Sequence, residues 1–363
     1  MRLFSPGLNL KRVGNKMGVS IPTIRWVNGR VKIIDQTKLP QKLKYITCRD
    51  VKALWRAIKK LSVRGAPALG VSAAFGVLLG MKSFQGKKPE RFIKHIHKIC
   101  DYIGTSRPTA VNLFNALDQM RGVLTRYENC SIAELKKRLK EEAFRIFEED
   151  RTVCRRMGDF GARLIKNNSN IMTVCNAGGL ATADYGTALG VMYSAKDQGK
   201  KFNVYACETR PLLQGARLTT WELLRAKIDT TLICDNMAAT LMYQGKIDGI
   251  FTGADRIASN GDTANKIGTY NLAVLAKHHR VPFYVVAPRS TFDMKIRSGR
   301  QIPIEQRAKE EVAHFGGRRT APKKVRVYNP AFDVTGHQLI TAIITEKGII
   351  TPPFKANIKK KFS

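Results

Sequence analysis

The sequence predicts an α/β protein, with a Rossmann-like, mostly parallel sheet in the C-terminal domain and a mainly helical N-terminal domain preceded by a small β ribbon. Three observations predict it. After residue 168, short β-branched runs alternate with helical stretches at a spacing of about 25–30 residues, the signature of βα units. Between residues 50 and 165 the apolar residues recur at helical spacing. Near the start, alternating apolar residues flank Asn28-Gly29, a strong hairpin signal.

The elements follow in order. The first 45 residues read as the ribbon, centred on PTIRWVNGRVKII (22–34). Helical runs begin with DVKALWRAIKKLSV (50–63), for which Thr47 or Asp50 serves as cap. They continue through APALGVSAAFGVLLGM (66–81), ERFIKHIHKICDYI (90–103) and AVNLFNALDQMRGVLTRY (110–127). The run from Ser131 to Ile165 starts on a capping box, Ser131 with Glu134, and is long enough to bridge two domains. Five strands follow: IMTVC (171–175), FNVYAC (202–207), TTLIC (230–234), DGIFTG (248–253) and VPFYVVA (281–287). Right-handed crossovers between them place helices on both faces of the sheet. The expected domains are 1–150 and 151–363.

Composition narrows the class. Hydrophobic residues make up 44% of the 363, enough for packed cores, and no apolar run is long enough and free enough of charge to span a membrane. The N-terminal MRLFSPGLNLKRVGNK carries no apolar leader core, so a cytoplasmic protein is expected. The seven cysteines are scattered, with no CxxC or HExxH spacing, which predicts reduced thiols and no metal site. The net charge is +35, shared as +18 over residues 1–150 and +17 over the rest. A charge spread this evenly, concentrated only at PKKVRV (322–327) and KANIKKKFS (355–363), predicts weak electrostatic attraction to polyanions and phosphorylated ligands, with no specific nucleic-acid recognition.

In open α/β sheets ligands bind beyond the carboxyl ends of the strands. Here those ends carry Cys175-Asn176-Ala177-Gly178, then Glu208-Thr209-Arg210 leading to Gln214, then Asp235-Asn236, Asp255-Arg256 and Pro288-Arg289-Ser290. Singly, each has a plain reading: Asp235 as a helix cap, NAGG as a tight turn, Cys175 as buried filler. A polar or ionisable group at every strand end is more than a sheet needs for stability. The stretch TVCNAGGLATADYG itself reads as strand, tight turn and helix start. No G-x-G-x-x-G or Walker A spacing is present, so no nucleotide cofactor is expected. Asn265 and Lys266 read as a phosphate site made of a point charge and the start of a helix, KIGTYNLAVLAKHH.

These blocks resemble a known family. SVRGAPALGV (62–71), CNAG (175–178), CETRPLLQGARLTTWEL (207–223), ICDNMAA (233–239), GADRIASNGDTANKIGTYNLAVLAKHH (253–279) and NPAFDVT (329–335) are similar to the methylthioribose-1-phosphate isomerase family. Its superfamily also holds ribose-1,5-bisphosphate isomerases and the regulatory subunits of initiation factor 2B. The resemblance runs from about residue 18 to 352. It implies aldose–ketose isomerisation in methionine salvage, by a homodimer that needs no cofactor. By the same resemblance the catalytic cysteine falls on Cys175 and the proton donor on Asp255. Substrate-binding positions fall on Arg64, Gly65, Ala66, Arg107, Gln214, Asn265 and Lys266. The sequence departs from the family pattern at Val174, Gly179, Asp184, Cys207 and Gly336, none of them a matched site residue. Two other readings stand beside it: an isomerase for a related sugar such as ribose 1,5-bisphosphate, and a non-catalytic translation-factor-like subunit.

Such a substrate sets clear demands. Phosphate on C1 blocks ordinary ring opening, so the ring oxygen must be protonated while hydrogen moves from C2 to C1. The transfer proceeds as a proton through an enolate or as a hydride, and both routes need an acid, a base and a water-poor site. Asp255, among the apolar residues of GIFTGA, suits the acid. Cys175 ahead of a helix start suits a thiolate, acting as base or polarising the reacting carbons. Arg64, Arg107 and Lys266 suit the phosphate. The tail KANIKKKFS lies beyond every matched block and is expected to be dispensable for turnover.

Overall fold

The computed structural model describes residues 22–108 and 110–363. The start of the expected ribbon and the N-terminal stretch read for a leader lie outside the described residues. The ribbon that is described has three antiparallel strands, β1 (Ile24–Val27), β2 (Arg30–Ile34) and β3 (Tyr45–Cys48), with Asn28-Gly29 at the β1–β2 turn in left-handed conformation.

Five helices follow: α1 (Val51–Lys59), α2 (Ala66–Met81), α3 (Pro89–Gly104), α4 (Val111–Arg126) and α5 (Ile132–Ala162). Of the two candidate caps for α1 it is Asp50 that acts, its Oδ1 accepting from Ala53 N at 2.8 Å, because Thr47 is taken up in β3. The capping box of α5 forms by half. Ser131 accepts from Glu134 N at 3.3 Å, while the Glu134 carboxylate turns outward to Arg138 at 2.8 Å. α2 is apolar all round and is buried from Ala68 to Gly80, with α1, α3, α4 and α5 packed about it. The long α5 serves two cores. Leu135, Leu139, Ala143 and Ile146 join the helical cluster around α2, and Cys154, Met157 and Ala162 join a second cluster against the main sheet. The expected boundary at 150 therefore falls inside one continuous helix.

The remaining elements are β4 (Ser169–Thr173), α6 (Ala188–Asp197), β5 (Phe202–Cys207), α7 (Thr220–Arg225), β6 (Asp229–Ile233), α8 (Ala238–Tyr243), β7 (Gly249–Thr252), β8 (Arg256–Ala258), β9 (Thr263–Lys266), α9 (Thr269–His278), β10 (Phe283–Val286), β11 (Phe292–Asp293), α10 (Glu310–Ala313), β12 (His314–Phe315), β13 (Arg318–Arg319), β14 (Phe332–Thr335), β15 (Ala342–Thr345), β16 (Gly348–Ile350) and α11 (Phe354–Phe362). All five expected strands are present as β4, β5, β6, β7 and β10. The main sheet has seven strands in the order β16-β15-β10-β7-β4-β5-β6, parallel except for β16.

Successive residues along each central strand go to opposite faces. Ile171, Phe251, Val286 and Ile344 join the core under α5, α6 and α7, while Met172, Ile250, Val285 and Ile343 join the core under α8, α9 and α11. The chain leaves β4 toward β5 and β6, then returns to β4's other edge with β7. The gap between the carboxyl ends of β4 and β7 is thus the switch point where this topology opens a crevice.

Three features depart from the sequence reading. Strands β15 and β16 were not singled out, because AIIT and GII are too short to show a period. A second sheet, β11-β8-β9-β14, is built from the stretch after β7, so Asn265 and Lys266 end a strand and do not start a helix. Lys266 pairs with Phe332 and Asn265 with Asp333 across that ladder, and α9 begins only at Thr269. Finally, the basic tail is no loose appendage. α11 buries Phe354 and Ile358 in the third core cluster and leaves Lys355, Lys359, Lys360 and Lys361 exposed.

Candidate active site

β4 ends at Thr173, and two residues later Cys175 takes a left-handed conformation with φ 62°. A non-glycine residue holds that conformation only when its surroundings over-determine it. Here both backbone groups of Cys175 are clamped: its N–H donates to Thr209 Oγ1 at 2.8 Å, and its carbonyl accepts from Thr219 Oγ1 at 2.6 Å. Thr209 is held in turn by Asp235, whose carboxylate accepts from the Thr209 and Arg210 N–H groups at 2.8 and 2.7 Å. Asp235 is therefore the brace that ties the end of β6 to the turn after β5, and it makes no side-chain cap to a helix.

No helix starts directly after Cys175. Gly178 and Gly186 pair as an isolated bridge, and the residues between them leave and return as a loop holding one 3₁₀ turn. Helix α6 then begins at Ala188, and the N–H groups of Thr187 and Leu189 both donate to the Ala177 carbonyl, at 2.8 and 3.3 Å. The loop packs against the start of α2, where Gly65 has φ 94° and an added Cβ would lie 2.4 Å from the Ala181 carbonyl oxygen. Only glycine permits that approach.

The crevice at the switch point is a cavity of about 110 Å³. All nine candidate residues line it: Arg64, Gly65, Ala66, Arg107, Cys175, Gln214, Asp255, Asn265 and Lys266. Among the other strand-end residues, Asn176, Ala177 and Pro288 also line it, while Glu208, Arg210, Asp235, Arg256 and Arg289 do not. Arg210 turns away to the Val312 carbonyl and the Phe315 ring, and Arg256 to Asp293.

The electrostatics are those of a desolvated, cation-rich site. Asp255 faces the cavity and so keeps some accessible surface, yet the packing around it is dense. Desolvation pushes its carboxyl above the ordinary value, against the pull of Lys266, Arg107 and Arg64. Desolvation likewise lowers Lys266 and Arg64, and for both Cys175 and Asp255 act in the opposite sense. Lys266 Nζ donates to the Ala331 carbonyl at 2.7 Å and lies over the Phe332 ring. Arg107 pairs with Glu305 at 3.6 Å, and Glu305 also meets Arg307 at 3.0 Å. Both of these last residues line the cavity, and neither was singled out from the sequence.

The neutral groups are aimed as well. Asn265 spends its amide hydrogens on Thr252 and Thr269 at 3.1 and 2.9 Å, so it offers a ligand an acceptor. Gln214 is buried, and its Oε1 has no hydrogen-bond partner among the described residues. The helix-start reading changes hands. The N-terminus of α9 is already occupied by Asp333, which accepts from Gly268 and Tyr270 N–H at 2.7 and 3.1 Å. Among the described residues no side chain caps the start of α2, which lines the cavity through Gly65, Ala66 and Pro67, so the uncapped helix N-terminus belongs to the Arg64-Gly65-Ala66 corner. Behind Asn176 in the cavity wall lie Thr219 and the buried Glu222. Sequence reading passed over Glu222, whose only signal was a carboxylate inside an otherwise apolar helical face.

Comparison with known proteins adds the relationship. A family model described as the initiation factor 2 subunit family matches residues 62–352. The chain is 53% identical to the methylthioribose-1-phosphate isomerase of Fervidobacterium nodosum over 348 residues, covering 95% of this chain and 99% of that protein. It is 52% identical to a 5-deoxyribose 1-phosphate isomerase of Moorella thermoacetica over 340 residues, 94% and 97% of the two chains. The crystal structure of 5-methylthioribose 1-phosphate isomerase from Pyrococcus horikoshii superposes with a TM-score of 0.88 at 45% identity, covering 94% of this chain and 95% of that one. A crystal structure from A. fulgidus described as translation initiation factor eIF-2B, subunit delta, gives 0.85 at 47% identity, covering 94% and 99%.

Proposed function

The chain belongs to the initiation factor 2 subunit family, and within it we propose that it is an aldose–ketose isomerase that converts 5-methylthioribose 1-phosphate to 5-methylthioribulose 1-phosphate in methionine salvage. One observation carries the reading: Cys175 and Asp255 line the same small cavity, flanked in common by the cations Arg64 and Lys266. A scaffold subunit has no use for a strained cysteine and a desolvated acid around one crevice.

We assign the roles as follows, with the shared cavity as their support. The phosphate is held by Arg64, the uncapped N-terminus of α2 at Gly65 and Ala66, Arg107 and Lys266. Gln214 and Asn265 contribute acceptor oxygens to the sugar hydroxyls. Asp255, whose acid form desolvation favours, delivers its proton to the ring oxygen and opens the ring. Cys175 acts on the C1–C2 segment, where hydrogen leaves C2 and arrives at C1. In the enolate route the thiolate takes the C2 proton and the proton returns to C1. In the hydride route the thiolate polarises the two carbons and no proton passes through it. In both, the C2 hydroxyl gives up its proton as the C2 carbonyl forms and that proton restores Asp255, so atoms balance and no redox partner is consumed.

The test is a substrate panel with purified protein and no added metal or nucleotide, reading ketose formation from 5-methylthioribose 1-phosphate, 5-deoxyribose 1-phosphate and ribose 1,5-bisphosphate. The methylthio sugar is expected to give the highest kcat/KM. Turnover of none of the three sinks the isomerase reading and favours the translation-factor-like subunit. The name of the Moorella relative makes the 5-deoxy sugar the second reading.

We further infer a cytoplasmic homodimer, of domains 1–150 and 151–363, without specific nucleic-acid binding. Separate core clusters on the two halves of α5 support the division, and among the described residues no helix is long and apolar enough to cross a membrane. Light scattering that gives a monomer at micromolar concentration counts against the dimer.

A further inference from the structure

Glu222 lies on α7 with 6% of its surface exposed, and no step of the reaction uses it. Its carboxylate is reached by Asn176 Nδ2 at 2.8 Å, by Leu180 N at 3.3 Å and by the Tyr193 hydroxyl at 3.2 Å. Burying a carboxylate is costly even with good partners. Room has been made for it nonetheless: an added Cβ at Gly178 would sit 2.4 Å from Glu222 Oε1.

What it does is legible in Asn176. That side chain has two amide hydrogens, one directed to Glu222 Oε1 and the other to Thr219 Oγ1 at 3.2 Å. Thr219 has committed its own hydrogen to the Cys175 carbonyl, so toward Asn176 its oxygen only accepts. With acceptors on both of these sides, the Asn176 nitrogen faces them and its Oδ1 faces the Arg64 Nη2. Arg64 also donates from Nη1 to the Asn176 carbonyl at 3.2 Å and from Nε to Gln36 Oε1 at 3.1 Å. Of the five N–H groups of a guanidinium, three are thereby tied to the wall, and one on each terminal nitrogen is left for a ligand.

We propose that Glu222 is a positioning residue for phosphate binding: through the Asn176 amide it sets the orientation of the Arg64 fork that grips the substrate phosphate. The proposal rests on Arg64 being the phosphate anchor, as argued under the function above. Glu222 touches neither substrate nor reacting atoms. Because Thr219 bridges Asn176 to the Cys175 carbonyl, the same linkage ties the phosphate grip to the backbone of Cys175.

The test uses the full chain and inorganic phosphate as the probe, with Kd measured by calorimetry and KM and kcat measured beside it. Glu222→Leu is expected to raise the phosphate Kd and the KM by about 10- to 100-fold, the loss that follows removal of a hydrogen bond to a charged group. kcat falls by less than KM rises, because Arg64 holds the phosphate in ground and transition states alike. Glu222→Gln accepts from Asn176 with its carbonyl and donates to Tyr193 with its amide, so it restores the phosphate Kd to within a few-fold. Asn176→Ala weakens phosphate as Glu222→Leu does, and the double variant is no weaker than the worse single one.

An unchanged phosphate Kd in Glu222→Leu, or losses that add in the double variant, overturns the proposal. Should Glu222→Leu not fold, Asn176→Ala with native phosphate affinity overturns it equally. A purely structural role would lower the unfolding midpoint and leave Kd alone. Phosphate binding is read without any sugar, so a protein that binds phosphate through this linkage but isomerises none of the panel sinks the isomerase reading and leaves this one standing.

Discussion

Gly65→Ala is the sharpest perturbation the structure offers. Gly65 is the residue just before α2, with φ 94° and ψ 137°, a conformation closed to side chains. Forcing a β-carbon there costs about 1–3 kcal/mol in backbone strain alone. The new carbon would also stand 2.4 Å from the Ala181 carbonyl oxygen and 2.5 Å from the Ala181 Cα, where ordinary contact begins near 3.4 Å. Both are backbone atoms, so no rotamer relieves the overlap, and the loop between Gly178 and Gly186 must move by about 1 Å, at about 1–3 kcal/mol for an overpacked contact. The sum, about 2–6 kcal/mol, is a large share of the 5–15 kcal/mol that holds a typical domain. The chain is expected to fold with a clearly lower urea midpoint. The displacement falls between Arg64 and the loop behind Cys175, so kcat/KM should drop by about 10²-fold, the effect of misplacing a bound group by about 1 Å. Paired urea titrations and steady-state kinetics on the methylthio sugar measure both. A variant with native midpoint and native kcat/KM refutes the reasoning, because it would show that α2 and the loop do not approach as described.

Three further outcomes are expected. Cys175→Ser and Asp255→Asn should each lower kcat by about 10²–10⁴-fold with the unfolding midpoint retained; in the native enzyme kcat/KM should fall as pH rises through the raised Asp255 pKa, since the acid form is the active one, and a pH profile whose basic limb lies at an ordinary carboxylate value contradicts the role. Asp150 accepts from Ala183 N at 2.7 Å, and desolvation pushes it up to about 7, so its contribution is present in full below an ordinary carboxylate pKa and is lost as pH rises toward 7; Asp150→Asn should flatten that decline in thermal midpoint, and an unchanged slope counts against it. The net charge of +35 should give weak nucleic-acid binding that ignores sequence and vanishes with salt, and replacing Lys355, Lys359, Lys360 and Lys361 by Gln should weaken it further while sparing turnover; truncation is unsuited, because it would remove Ile358 from the core.

The sequence by itself determined the local character of this protein. Runs such as FNVYAC and VPFYVVA carry enough β-branched and aromatic residues to be strands wherever they fall, and Ser131 and Asp50 mark helix starts through contacts within three residues. The strand ends told where polar groups would gather, because an open parallel sheet binds its ligands in the crevice beyond the carboxyl ends of its strands. Tertiary structure alone decided what depends on distant partners. β15 and β16 exist because β10 and the core under α11 give those short runs something to pair with and pack on. Lys266 ends a strand because Phe332, far along the chain, completes its ladder. The sequence points to the start of α9 as the anion site; in the structure Asp333 closes that end, and among the described residues no side chain caps the start of α2. Glu222 becomes a wall residue only because Asn176, Leu180 and Tyr193, all distant in the chain, close on its carboxylate. The physical reason is common to these cases: backbone preference acts within a few residues, whereas burial, hydrogen-bond satisfaction and charge are settled by whatever the fold brings alongside.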